Sequence, residues 1–159
     1  PLTHRRITVT GDAVNAPANL IAPIGTFYHD LIEACGGTKG HVGKIIAGGP
    51  MMGFAVADRG ITMSKTASGL LVLSDSPEYR SMACISCGRC IDACPLRLMP
   101  SEISQCVEAD DIDGAEQAHV TDCCECGCCA FACPARRPLV QHIRRAKALI
   151  LAKRAAQKK

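Results

Sequence analysis

The feature that most constrains this chain is a cysteine pattern that occurs twice in one register. Cys84-Ile-Ser-Cys87-Gly-Arg-Cys90-Ile-Asp-Ala-Cys94-Pro95 recurs as Cys123-Cys-Glu-Cys126-Gly-Cys-Cys129-Ala-Phe-Ala-Cys133-Pro134. Both copies read C-x2-C-x2-C-x3-C-P, with Gly after the second Cys. Of the 12 cysteines in 159 residues, 11 lie from Cys84 to Cys133. Such density means disulfides, metal or clusters.

The start, Pro1-Leu2-Thr3-His4-Arg5-Arg6, is not followed by the apolar core of a signal peptide. The expectation is a soluble chain in a reducing compartment, where thiols serve as ligands rather than bridges. No run approaches the ~18 apolar residues that cross a bilayer. Structural zinc typically uses two separated C-x2-C pairs, whereas each run here has four Cys and a closing Pro. That spacing is the bacterial ferredoxin signature for 4Fe–4S clusters, in which the fourth Cys of each run serves the other cluster. The assignment is Cys84, Cys87, Cys90 and Cys133 to cluster 1, and Cys123, Cys126, Cys129 and Cys94 to cluster 2. Gly88 and Gly127 allow tight loops. Pro95 and Pro134 turn the chain away without a backbone N–H to satisfy. Cys124 and Cys128 read as small residues beside the ligands, and Cys35 and Cys106 as core thiols. Arg89, inside the first loop, is either a charge that raises a cluster potential or a solvated side chain.

The rest of the chain divides in two. Residues 1–75 are rich in Gly and β-branched residues, with strands expected at Arg6–Gly11, Asn19–Ala22, Lys44–Ala47 and Leu70–Leu73. Thr26 is the expected N-cap of a helix over Phe27–Cys35, with Phe27, Leu31 and Cys35 on its buried face and a stop at Gly36-Gly37. Strands around one helix predict an α+β fold with a small β-grasp-like module. The loop Gly48-Gly49-Pro50-Met51-Met52-Gly53 is a tight turn, or a surface for a flavin or another domain. Residues 76–159 form a mostly α-helical segment, reached through the linker Ser74-Asp75-Ser76-Pro77. Helices are expected at Pro100–Glu108, Ile112–His119 and Pro138–Ala156, the last with Leu139, Ile143, Ala146 and Ile150 on one stripe.

Aromatic residues make up 3% of the chain and Trp is absent, so the core is thin and needs another source of cohesion. Net charge is +3, but Arg136 to Lys159 holds nine basic residues and no acidic one. This stretch is a solvated face, or it docks onto an acidic carrier or an anionic membrane surface. Few aromatics argue against nucleic acid. No dinucleotide fingerprint, catalytic triad or paired His is present, so no catalytic residues are assigned. The first residue is Pro1, and the chain reads as a piece of something longer.

Cys84 to Leu96, Asp122 to Pro134 and Arg137-Pro-Leu-Val-Gln-His-Ile-Arg-Arg-Ala-Lys147 together resemble the C subunit of the Rnf-type ion-translocating electron transport complex. Val9–Val14, Pro23–Thr26, Glu33–Gly37 and Gly48–Gly53 resemble that family's β-grasp (SLBB-type) module. The resemblance implies a helical ferredoxin domain with two clusters, on a peripheral subunit at the cytoplasmic face of a bacterial inner membrane. It implies electron transfer between NADH and ferredoxin coupled to ion movement. Expected partners are the other subunits, the membrane surface by association and a soluble ferredoxin. FMN and NADH are expected only on a domain preceding this region. A flavin-dependent cobalamin reductase of bacterial microcompartments shares the domain order. A structural metal-binding module is the alternative from another class.

Overall fold

The computed structural model describes residues 1–58 and 60–157. It divides into two compact units, Pro1–Glu78 and the chain from Tyr79 onward.

The first unit is a five-stranded mixed sheet holding one helix. The strands are β1 (His4–Thr10), β2 (Ala18–Pro23), β3 (Lys44–Ala47), β4 (Phe54–Val56) and β5 (Gly69–Leu73), and the helix is α1 (Tyr28–Ala34). The sheet order is β2-β1-β5-β3-β4. Only β1 and β5 run parallel, and the other neighbours are antiparallel. This is the expected grasp architecture. Alternation places Ile7, Val9, Leu70 and Val72 on one face, where each is at most 1% exposed. Tyr28, Leu31, Ile32 and Cys35 of the α1 region cover that face, and each fully buried large apolar side chain contributes about 1.5–3 kcal/mol.

The start of α1 differs from expectation. Phe27, not Thr26, is the N-cap residue, and no side chain caps the helix. The segment around Met63 does this work with backbone groups. Met63 N–H donates to Thr26 O at 2.7 Å, and Tyr28 N–H donates to Ile61 O at 3.0 Å. Thr26 Oγ1 donates instead to Pro23 O. The extra pairing turns Phe27 outward and Tyr28 inward; Leu31 and Cys35 are buried as expected, and Phe27 alone departs from the expected face.

Gly11 ends β1 at φ +128°, and a Cβ there would lie 1.8 Å from Val72 O. Next to it, Asp12 accepts hydrogen bonds from Ser74 N–H and Ser74 Oγ–H. The loop Gly48–Gly53 lies in the wall of a surface groove with Phe54, Met51 and Met52 exposed.

The second unit is helical: α2 (Arg89–Asp92), α3 (Pro100–Glu108), α4 (Ile112–Gln117), α5 (Cys128–Ala132) and α6 (Leu139–Gln157), with a 3-10 turn at Val120–Asp122. Helix α4 is shorter than expected because His119 is left-handed, at φ 58°. Asp111 caps α4, its side chain accepting from Gly114 N–H. The α6 stripe falls as predicted. Leu139, Ile143, Ala146 and Ile150 are at most 1% exposed and pack with Ile103, Val107, Ala115 and Val120.

Candidate metal centre

The two cysteine runs fold alike. Ser86 and Glu125, two residues after the first Cys of each run, are left-handed at φ 54° and 56°. Gly88 and Gly127 follow at φ 76° and 85° and serve as the N-caps of α2 and α5. These one-turn helices carry the third Cys, Cys90 in one and Cys129 in the other. The likeness continues past the motif. Arg97 and Arg136 are left-handed at φ 53° and 51°, and each N–H donates to the carbonyl of the fourth Cys at 3.1 Å. The sequence carried a signal for this extension, Cys-Pro-x-Arg in both copies.

The eight motif cysteines divide between two cavities. Cys84, Cys87, Cys90 and Cys133 line one, with a volume of about 430 Å³. Cys94, Cys123, Cys126 and Cys129 line the other, together with Cys124. The second is the tighter of the two, with about 10 Å³ of free space. Each cavity thus takes three Cys from one run and the fourth from the other. Packing makes the exchange: α2 lies against α5, and α3 lies against α6.

The donor chemistry fits iron–sulfur cubes. Among the described residues, no three His, Cys, Asp or Glu converge as a single ion would require. A cube makes no such demand, because each thiolate reaches its own iron. Backbone N–H groups already point at sulfur: Leu98 N–H to Cys94 Sγ at 3.4 Å, and Glu125 N–H to Cys123 Sγ at 3.3 Å. Burial pushes the Cys129 thiol up to about 11, and raises Cys123 against the opposing Glu125 N–H and Lys147 charge. A bound metal reverses that preference, since a coordinating thiol is deprotonated outright.

Cys128 lies in neither cavity wall. Cys106 is half-buried on α3, its thiol raised by burial and by nearby Asp111 and Glu102. Cys35 is buried in the core of the first unit. Arg89 is exposed and is absent from the wall of the first cavity.

The described cations of the basic C-terminal stretch are paired within the chain. Arg144 Nε and Lys147 Nζ both reach Glu125, at 2.9 and 3.0 Å. Arg145 pairs with Asp110, Lys153 with Asp113 and Arg154 with Glu116. Arg137 pairs with Glu108, and Arg136 lies over the Tyr79 ring at 3.5 Å. Lys158 and Lys159, which complete the nine, lie outside the described residues. All seven described basic residues thus have a partner within the chain itself.

Burial alone raises the Glu125 carboxyl, but the hydrogen bonds and charges of Lys147 and Arg144 outweigh it and hold it below the usual range. This triad ties the second cysteine loop to α6, and Lys147 Nζ also donates to Cys123 O.

Comparison with known proteins agrees with both units. Residues 6–55 match the SLBB domain, and residues 77–97 match a 4Fe-4S binding domain. The chain is 46% identical over 151 residues to the C subunit of the proton-translocating ferredoxin:NAD(+) oxidoreductase complex of Clostridium ljungdahlii, covering 93% of this chain and 33% of that protein. It is 42% identical to the C subunit of the ion-translocating oxidoreductase complex of Rhodobacter capsulatus, covering 92% of this chain and 29% of that protein. It is 42% identical to the C subunit of the Na(+)-translocating ferredoxin:NAD(+) oxidoreductase complex of Acetobacterium woodii, covering 97% and 35%. The chain spans about a third of the length of these curated relatives. Over that third, it belongs to the family of C subunits of ion-translocating oxidoreductase complexes.

Proposed function

We propose that the chain holds two 4Fe–4S clusters and relays electrons through them, as part of a subunit of an ion-translocating oxidoreductase acting between NADH and ferredoxin. The observation that carries this reading is the interleaved division of eight cysteines between two cavities. Cys84, Cys87, Cys90 and Cys133 hold one cluster, and Cys123, Cys126, Cys129 and Cys94 hold the other. Bound cubes supply one-electron uptake and release. The helices α3 and α6 exclude water from one side of the cavities through Ile103, Leu139, Val140 and Ile143. Ligand exchange keeps the two sites adjacent, so an electron accepted at one has a short path to the other.

FMN and NADH sites belong to the remaining length of the protein, where the relatives carry about two thirds of their residues. Partners are the other subunits of the complex and a soluble ferredoxin. The location is peripheral, at the cytoplasmic face of the inner membrane. In support, the relatives are named as ion-translocating complexes, and no helix among the described residues is long and apolar enough to cross a membrane.

The test is iron, sulfide and zinc analysis of the anaerobically purified full-length protein, followed by electron paramagnetic resonance of its complex after NADH addition. The expected result is about eight Fe from these two sites, with signals that grow within the time of turnover. Zinc in place of iron, or clusters that the donor never reduces, overturns the relay reading.

A further inference from the structure

The two cluster cavities are built from one repeat, so equivalent positions can be compared directly. Four residues after the fourth Cys, the second run has Arg137 and the first has Leu98. Each lines the cavity of its own fourth Cys: Arg137 with Cys133, and Leu98 with Cys94. The same wall position therefore holds a cation in one cavity and an aliphatic side chain in the other.

Arg137 is 7% exposed, the one buried charged residue among those described. Its NH2 group donates to Ser104 Oγ at 2.8 Å and to Glu108. Ser104 is fully buried, and its Oγ lies 2.8 Å from His142 Nδ1. With Ser104 accepting from Arg137 and donating to an unprotonated Nδ1, the hydroxyl is satisfied in both directions and the guanidinium is fixed in place. One atom is left over. Arg137 Nε is buried and has no hydrogen-bond partner among the described residues. A buried donor without a partner costs about 1–3 kcal/mol, which sulfur acceptors at the cavity would offset. Glu108 cancels only part of the cation's charge at the cavity. Its side chain is 47% exposed, so water screens it more than it screens Arg137.

We propose that Arg137 is a positioning residue that sets the reduction potential of the cluster held by Cys84, Cys87, Cys90 and Cys133. Its buried charge and its free Nε–H favour the reduced, more negative state. This rests on the two-cluster reading above. It is limited to the first cavity, because Glu125, Arg144 and Lys147 bring both signs of charge near the second. The role that the sequence offered to Arg89 passes to Arg137, since charge in a dry site acts far more strongly than charge in water.

The experiment is a redox titration by electron paramagnetic resonance on the full-length protein with Arg137→Leu, Arg137→Lys and Glu108→Gln. Each is also made in a Cys94→Ser background, which leaves the first cavity's ligand set whole. Arg137→Leu, which copies the second cavity, should lower the reduced-to-oxidised ratio of cluster 1 about tenfold at fixed poise, equal to about 59 mV for one electron. Arg137→Lys should shift it less, and Glu108→Gln should shift it upward. A structural role alone predicts no such opposition of sign. Unchanged potentials in Arg137→Leu and Glu108→Gln, with iron retained, overturn the proposal. If Arg137→Leu loses the cluster, Glu108→Gln decides: an unchanged potential overturns it and a rise supports it. Lack of iron in the unsubstituted protein removes the two-cluster reading and this one together, and the iron count identifies that case.

Discussion

Cys94 and Cys123, one from each cysteine run, line the same cavity. Between them lie α3 and α4, which turn the chain back so that the end of the first run meets the start of the second. The apolar seam of Ile103 and Val107 against Ile143 and Ala146 holds that return in place. A cluster bound in that cavity would tie distant residues together and add cohesion that a core poor in aromatics lacks.

The two cysteines between ligands should be dispensable. Cys124→Ala and Cys128→Ala are each expected to leave iron content and both resonance signals intact. Loss of about four Fe in either variant would show that the true ligand register differs from this one.

Glu125 makes stability depend on acid. Its carboxyl is held below the ordinary value by Lys147 and Arg144, so its contribution is present above about pH 4.3, the unfolded value. That contribution fades as pH falls through the lower folded value. Unfolding curves at several pH values should show Glu125→Gln with a flatter acid limb than the parent protein. An identical limb would rule out the triad as its source.

The paired cations of α6 should not govern docking. Arg145→Gln and Lys153→Gln remove exposed ion pairs with Asp110 and Asp113, whose loss costs little stability because water screens them. Association with anionic vesicles, measured by sedimentation across a salt series, is expected to keep its slope. A flattened slope would restore the docking role that the basic stretch suggested on its own.

Gly11→Ala should destabilise the first unit. The position has φ +128° and no room beside Val72 O, so the loss is about 1–3 kcal/mol. Urea unfolding by far-ultraviolet circular dichroism measures it, and a midpoint within error of the parent would contradict the placement.

Local patterns carried much of this structure. Lys44–Ala47 and Pro100–Glu108 are strand and helix over the same residues that the pattern indicated, because a β-branched pair closed by Gly48-Gly49 and a leading Pro are strong local signals. The α6 stripe was equally plain. Strand β4 was missed: Phe54-Ala55-Val56 is three residues with no alternation, and it exists only through pairing with β3. Helices α2 and α5 were missed because they are single turns capped by left-handed Gly. The wrong cap on α1 has the same origin, a distant segment at Met63 that outcompetes a local hydroxyl. At the site, the cysteine spacing named all eight candidate ligands. It gave no hint of Arg137, whose burial depends on Ser104 and Glu108 from another helix. Nor did it reveal that acidic partners scattered from Asp110 to Glu125 pair with the cations of α6.

The proposed relay stands on each cluster drawing its fourth ligand from the other run. The most direct measurement is the resonance spectrum and iron content of Cys94→Ser and Cys133→Ser proteins, purified anaerobically. Cross-ligation predicts that Cys94→Ser damages the cluster at Cys123, Cys126 and Cys129, and that Cys133→Ser damages the one at Cys84, Cys87 and Cys90. Damage confined instead to the cluster of the substituted run would contradict it.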